Sequence, residues 1–163
     1  MKYSKKLIST AYHEAGHSVA AIYFGIKFKS VTIVPEADSL GKVVLNQKFK
    51  QALTPHQTIS NQKLIKVCLA GPHAERKFSG RFDHIGADSD YKMVADFVID
   101  QVGSLKQTNA LIKYLNICAE ELFTWEEDYL GTPPLWKAVK RVAEELLDKE
   151  TLSQNQVREL VYL

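Results

Sequence analysis

The segment Ala11–Ala21 constrains the fold of this chain more than any other, because it surrounds ionisable side chains with small apolar ones. His13, Glu14 and His17 form the pattern His-Glu-x-x-His, and a helix would place both imidazoles on one face, one turn apart. The apolar neighbours predict a buried helix, in which imidazoles need partners. Gly16 lies mid-helix, where glycine costs about 1 kcal/mol relative to alanine. We therefore expect another element to approach the helix closely at Gly16.

Two imidazoles on one helical face with a carboxylate beside them are typical of a zinc hydrolase. A catalytic zinc uses three protein ligands and one open position for a water molecule, whose pKa the metal lowers to about 7. His13 and His17 are therefore predicted ligands, and Glu14 is the predicted general base. The alternative is that His-x-x-x-His has arisen by chance on an ordinary buried helix.

Length and composition indicate one globular domain over residues 1–163, with 45% hydrophobic and 25% charged residues. A net charge of +2 gives no reason to expect a nucleic-acid partner. The longest apolar run, Val19–Ile26, is far shorter than the roughly 20 residues that span a bilayer, and no signal peptide is evident. Cys68 and Cys118 form no C-x-x-C pair, which predicts buried free thiols in a reducing compartment. We expect a cytoplasmic protein without membrane insertion.

Periodicity and turn residues predict a mostly α, α+β fold. A first helix is expected to be capped by Ser4 or a neighbour and to run to about Phe24, where Gly25 stops it. The segments Lys27–Pro35 and Lys42–Phe49 predict a β-hairpin. A second helix is predicted from about Thr54 to a break at Gly71-Pro72, with a continuation over 74–78. Three further helices are predicted over 88–103, 106–127 and 135–149. A short last helix is predicted to be capped by Ser153.

A third ligand must come from outside the first helix. No Gly-x-x-His follows His17, which excludes the metzincin arrangement. Asp88 suits a helix N-cap, whereas Asp90 is either free to point elsewhere or a solvated acid favoured by the helix dipole. Glu75 would otherwise pair with a neighbouring arginine. The residues alone leave the following candidates open: Glu75, Asp83, His84, Asp88 and Asp90.

Five segments, in the same order along the chain, resemble the peptidase domain of FtsH-type ATP-dependent zinc metalloproteases. They are Ala11-Tyr12-His13-Glu14-Ala15-Gly16-His17, Val31-Thr32-Ile33-Val34-Pro35 with Leu40-Gly41, Leu69-Ala70-Gly71 with Ala74-Glu75, Gly86-Ala87-Asp88-Ser89-Asp90, and Leu146-Leu147-Asp148-Lys149-Glu150-Thr151-Leu152. The resemblance implies a helical, zincin-like metallopeptidase domain with a small β-hairpin after the zinc helix. It also implies Zn²⁺ as the cofactor, with Asp90 as the third zinc ligand beside His13 and His17.

The chain departs from that family in several places. Pro72 and His73 stand where the family usually has Arg or Gly and Ala, Arg76 stands where a second Glu is common, and the chain has no G-x-x-x-x-G-K-[ST] motif. We therefore expect a stand-alone zinc metalloendopeptidase, without ATPase or membrane segments, that uses Glu14 as general base.

The expected substrates are peptides or unfolded proteins, which an exposed strand of the hairpin could receive by strand addition. A separate ATPase is an expected partner. Because the family forms hexameric rings, a homo-oligomer is another. The alternative function is a zinc-binding regulatory or protein-interaction module that has lost proteolysis.

Overall fold

The computed structural model describes residues 2–36, 40–45, 58–81, 87–102, 105–124 and 134–163. Over these ranges the chain forms a mostly helical α+β domain, as predicted. Its elements are α1 (Lys5–Phe24), β1 (Phe28–Thr32), β2 (Lys42–Leu45), α2 (Thr58–Ser79), α3 (Asp88–Val102), α4 (Leu105–Glu121), α5 (Leu135–Lys149), β3 (Thr151–Ser153) and α6 (Gln154–Val161). None of these helices is both long and apolar enough to cross a lipid bilayer.

Helix α1 lies at the centre of the domain, with α2, α5 and α6 packed around it. It begins and ends as predicted: the Ser4 hydroxyl accepts a hydrogen bond from the Leu7 N–H, and Gly25 ends the helix at φ 72°. Every residue from Ala11 to Ile22 is buried. The His-Glu-x-x-His segment is therefore part of the interior of the domain.

Helices α1 and α2 approach closely at Gly16. A Cβ atom at Gly16 would lie 2.6 Å from the Ala70 carbonyl oxygen and 2.6 Å from the Ala74 Cβ. Only glycine allows this distance, which confirms the expected close approach and accounts for glycine in the middle of a helix.

The predicted break at Gly71-Pro72 is wrong, because α2 runs without interruption from Thr58 to Ser79. Pro72 cannot donate a hydrogen bond to the Cys68 carbonyl, and proline inside a helix costs about 3 kcal/mol. Leu69, Ala70 and Ala74, on both sides of Pro72, are fully buried. Burial of this face of α2 offsets the local cost, so packing overrides the propensity of the Gly-Pro pair.

Within the described ranges the sheet has three strands rather than the predicted two. Strand β1 pairs with both β2 and β3, antiparallel in each case, so the strand order is β2-β1-β3. Val31 faces Val43 on one side and Leu152 on the other. The hairpin itself is confirmed, although positions 46–49 of its second strand lie outside the described residues. The missed strand β3 is three residues long and follows α5 directly, so the C-terminal end of the chain helps to fix the hairpin.

The other helices lie close to their predicted bounds. Ser153 caps α6 as expected, in a reciprocal pair with Gln156. Helix α4 ends at Glu121, earlier than predicted, and a tighter turn follows through Thr124. Two predicted helical segments lie outside the described residues: positions 125–127 after α4 and positions 54–57 before α2. Both cysteines are free; Cys68 is buried as predicted, whereas Cys118 is only half-buried.

We expect Gly16→Ala to lower the free energy of unfolding by a net amount of about 1–2 kcal/mol, because overpacking of a core costs up to about 3 kcal/mol. The added methyl group has to push α1 and α2 apart, and this outweighs the roughly 1 kcal/mol that alanine gains in a helix. Urea unfolding followed by circular dichroism measures the change. Unchanged or increased stability would mean that the two helices can separate without cost.

Candidate metal centre

Helix α1 directs His13 and His17 toward the first turn of α3, where Asp90 lies. The two Nε2 atoms are 3.0 Å apart. The Asp90 Oδ2 atom is 3.1 Å from Nε2 of His13 and 3.5 Å from Nε2 of His17. Within the described parts of the chain, these three residues form the one group of histidine, cysteine and acidic side chains close enough to share a metal ion.

Helix α2 holds His17 from behind. Its Nδ1 atom donates a hydrogen bond to the Val67 carbonyl oxygen at 2.7 Å. The ring lies against Gly71, where a Cβ atom would come within 2.3 Å of the His17 Nε2. The absence of a side chain at Gly71 therefore makes room for the imidazole.

His13 is held in a similar way by a side chain of α2. Its Nδ1 atom lies 3.0 Å from Oε2 of Glu75, whose Oε1 atom accepts a hydrogen bond of 2.7 Å from the Ser9 hydroxyl. Both oxygens of Glu75 are thus engaged behind the imidazole. Glu75, one of the candidates for a third ligand, contacts a predicted ligand instead of joining the group.

These contacts determine which nitrogens face the centre. A backbone carbonyl and a carboxylate only accept hydrogen bonds, so Nδ1 carries the proton in both neutral imidazoles, and Nε2 carries a lone pair. Two lone pairs and the Asp90 carboxylate therefore converge on one region. Such an arrangement is repulsive unless a cation lies among the three groups. Two imidazole nitrogens and one carboxylate are a typical donor set for catalytic zinc, so His13, His17 and Asp90 fit Zn²⁺.

The pKa shifts show the same preference for positive charge. Burial alone would lower the pKa of His13, but hydrogen bonds with Asp90 and Glu75 raise it to about 10. Burial acts to lower the pKa of His17 as well, and the Asp90 carboxylate outweighs it and raises that pKa. Burial acts to raise the pKa of Asp90, but the two imidazoles hold it well below its usual range. The region between the three side chains therefore stabilises a cation.

Glu14 lies on a different face of α1, beside the hairpin. It is buried, and its Oε2 atom has no hydrogen-bond partner among the described residues. Its Oε1 atom is 2.9 Å from where a Cβ of Gly41 would be. Burial raises the pKa of Glu14, although both histidines act to lower it. A buried carboxylate oxygen without a partner is costly, so the Oε2 atom of Glu14 is an unsatisfied acceptor among the described residues.

The remaining candidates for a third ligand do not join the group. Asp88 is exposed. The prediction that Asp88 is the N-cap of α3 is wrong, because the Ala87 carbonyl accepts the first hydrogen bond of the helix, from the Tyr91 N–H. Asp83 and His84 lie outside the described residues.

Sequence reasoning missed the supporting contacts from α2. One signal was available: Val67, Gly71 and Glu75 recur every four residues and so share one face of α2. The two histidines have the same spacing on α1, and antiparallel packing aligns the two rows.

The fold is that of a mostly helical, metallopeptidase-like domain with a small antiparallel sheet. Residues 1–114 match the model of peptidase family M41, and the chain belongs to that family.

Relatives that are named ATP-dependent zinc metalloproteases confirm the resemblance to FtsH-type peptidase domains. The chain is 28% identical to ATP-dependent zinc metalloprotease FtsH 1 of Alkaliphilus metalliredigens, over 93% of this chain and 29% of that protein. It is 28% identical to the ATP-dependent zinc metalloprotease YME1 homolog of Caenorhabditis elegans, over 94% of this chain and 25% of the relative. It is 30% identical to ATP-dependent zinc metalloprotease FtsH of Leptotrichia buccalis, over 96% of this chain and 23% of the relative. The chain thus spans about a quarter of the length of these relatives.

We expect Gly71→Ala to abolish the binding of added Zn²⁺, because the new methyl group would occupy the position of the His17 ring. Isothermal titration of the metal-free chain with Zn²⁺ measures the loss. A matched control is Ala110→Gly, at an exposed position of α4, which should leave the affinity unchanged. Wild-type affinity in Gly71→Ala would show that Zn²⁺ binding does not require the His17 ring in the position that it has here.

Proposed function

We propose that this chain is a zinc-dependent metalloendopeptidase, in which His13, His17 and Asp90 hold Zn²⁺ and Glu14 is the general base. The observation that carries the proposal is the convergence of two imidazole Nε2 lone pairs and one carboxylate, with both imidazoles oriented from behind by α2. Membership in peptidase family M41, together with relatives that are zinc metalloproteases by name, supports the same activity.

The residues divide the chemistry between them. Zn²⁺ at this site would supply a Lewis acid that polarises a water molecule and the carbonyl of the peptide bond to be cleaved. Glu14 accepts a proton from the water on its unpartnered Oε2 atom and passes it to the nitrogen of the leaving amine. Glu75 and the Val67 carbonyl keep the two imidazoles in the tautomer that presents Nε2.

The sheet offers a route for an extended substrate. Strand β2 is at the edge of the described sheet, paired on one side with β1. Gly41, immediately before β2, lies against Glu14. A polypeptide that adds by main-chain hydrogen bonds to the edge of β2 that no other described strand occupies would therefore pass beside the general base. We propose that peptides and unfolded segments bind in this way.

We further propose that peptide hydrolysis by this chain does not depend on ATP, because its sequence contains no P-loop motif. Folded substrates would then need a separate ATPase partner to unfold them. A regulatory, zinc-binding module is the alternative, and the activity of the purified chain on an unfolded substrate distinguishes the two.

Glu14→Gln should leave Zn²⁺ bound and reduce cleavage of an unfolded substrate by about 10²–10⁴-fold, the contribution of a general base. Glutamine keeps the size of the side chain but does not accept the proton. Zinc content by mass spectrometry and cleavage of a fluorogenic casein measure the two effects. Glu159→Gln, at an exposed position of α6, is the matched control. Retained cleavage in Glu14→Gln would exclude Glu14 as the base, and zinc-bound wild type without any cleavage would favour the regulatory module.

Asp90→Ala should weaken Zn²⁺ binding by about a hundredfold or more, since losing a direct ligand costs more than the roughly 10–100-fold of a residue behind a ligand. Asp88→Ala removes an exposed carboxylate from the same helical turn and should leave the affinity unchanged. Competition with a chromogenic chelator measures both dissociation constants. Equal affinities in the two variants would show that Asp90 is not a ligand.

A further inference from the structure

A polar network behind the candidate metal centre connects α2, α3 and α4. Its central residue is Asn116 on α4, whose Oδ1 atom lies 3.2 Å from Nε2 of His73 on α2 and 3.3 Å from the hydroxyl of Tyr91 on α3. The Asn116 Nδ2 atom donates a hydrogen bond of 3.1 Å to the Ile112 carbonyl. These side chains have no part in the chemistry described above.

The direction of each hydrogen bond in the network follows from the Ile112 carbonyl. That oxygen only accepts, so the amide nitrogen of Asn116 donates to it and Oδ1 remains as the acceptor. The Tyr91 hydroxyl and the His73 Nε2–H must then both donate to Oδ1. Burial lowers the pKa of His73 and so favours the neutral ring. The proton of that ring lies on Nε2, which donates to the Asn116 Oδ1 atom. One arrangement of protons therefore satisfies all three bonds, and such networks make packing rigid.

The network reaches the metal centre through the first turn of α3. Tyr91 follows Asp90 directly, and its backbone N–H donates to the Ala87 carbonyl at 3.0 Å. Tyr91 is thus held both at its backbone and at its hydroxyl. Successive side chains of a helix diverge by about 100° around the axis, so an anchor on Tyr91 also determines where Asp90 points.

We propose that His73, Asn116 and Tyr91 are positioning residues that hold Asp90 against His13 and His17. The inference rests on the proposed function, because it assigns to Asp90 the role of a metal ligand. Asp90 contacts two imidazoles through a single oxygen atom, and a metal site tolerates displacements of only about 0.5 Å. Without the network, the first turn of α3 would sample positions in which the carboxylate no longer reaches both imidazoles.

A double-mutant cycle tests whether the network acts through Asp90. Zinc dissociation constants are measured by chelator competition for the wild type, Asn116→Leu, Asp90→Ala and the double variant. We expect Asn116→Leu alone to weaken binding about tenfold, the lower end of the effect of a residue behind a ligand. In the Asp90→Ala chain the same change should weaken binding less than about twofold, because the contact that couples the two residues is gone.

Asn109→Leu makes the same substitution at an exposed position of α4 and should leave the affinity at the wild-type value. Tyr91→Phe removes only the hydroxyl, so it replaces Asn116→Leu in the cycle if the leucine variant does not fold. Wild-type affinity in the folded network variants, or an equal loss with and without Asp90, would overturn the proposal while leaving the metal site intact. A wild-type chain that binds no Zn²⁺ would instead contradict the proposed function, and this inference with it.

Discussion

The antiparallel contact between α1 and α2 is the interaction on which the rest of the structure depends. Two histidines in a buried helix of a small domain are costly unless a neighbour supplies hydrogen bonds. Helix α2 supplies them because small residues, Gly16 on α1 and Gly71 on α2, let the two helices come close enough. The Val67 carbonyl then reaches one imidazole, and the Glu75 carboxylate reaches the other. The close packing of α1 against α2 therefore forms part of the core and also brings the two histidines to their hydrogen-bond partners.

The same contacts leave the centre with an excess of negative charge. Since both Nδ1 atoms are engaged by acceptors, both Nε2 lone pairs face Asp90, and the metal-free chain relieves the repulsion by binding protons. For this reason hydrogen bonds with Asp90 and Glu75 raise the pKa of His13 to about 10, against the effect of burial. A metal ion would have to displace such protons, so binding of metal and release of protons are coupled.

The parts of the fold that were predictable from sequence are those whose signals are local. Ser4 and Gly25 mark the ends of α1, and Ser153 marks the start of α6, through hydrogen bonds within a few residues. Strand β3 was missed because its pairing with the distant strand β1, not its own residues, makes it a strand. The break at Pro72 was wrongly predicted because burial of α2 outweighs a local cost. Asp90 could not be chosen from the residues alone, since an acid in the first turn of a helix is common on any surface; the family resemblance singled it out.

His13, His17 and Asp90 differ in how the fold holds them. Of the three side chains, Asp90 has the fewest supporting contacts from the core helices α1 and α2. His13 and His17 share one rigid helix and are both supported by α2, so their relative position is set by the core. Asp90 comes from the start of α3, and nothing on α1 but the imidazoles themselves holds it there among the described contacts. On the proposal made above, its position depends on how α3 is held by α4, where the Tyr91 hydroxyl contacts Asn116. The Glu14 side chain lies beside the same group and next to Gly41 at the start of β2. Helix α1 therefore places two imidazoles against α2 and the Asp90 carboxylate of α3, and it places the Glu14 carboxylate beside Gly41 of the hairpin.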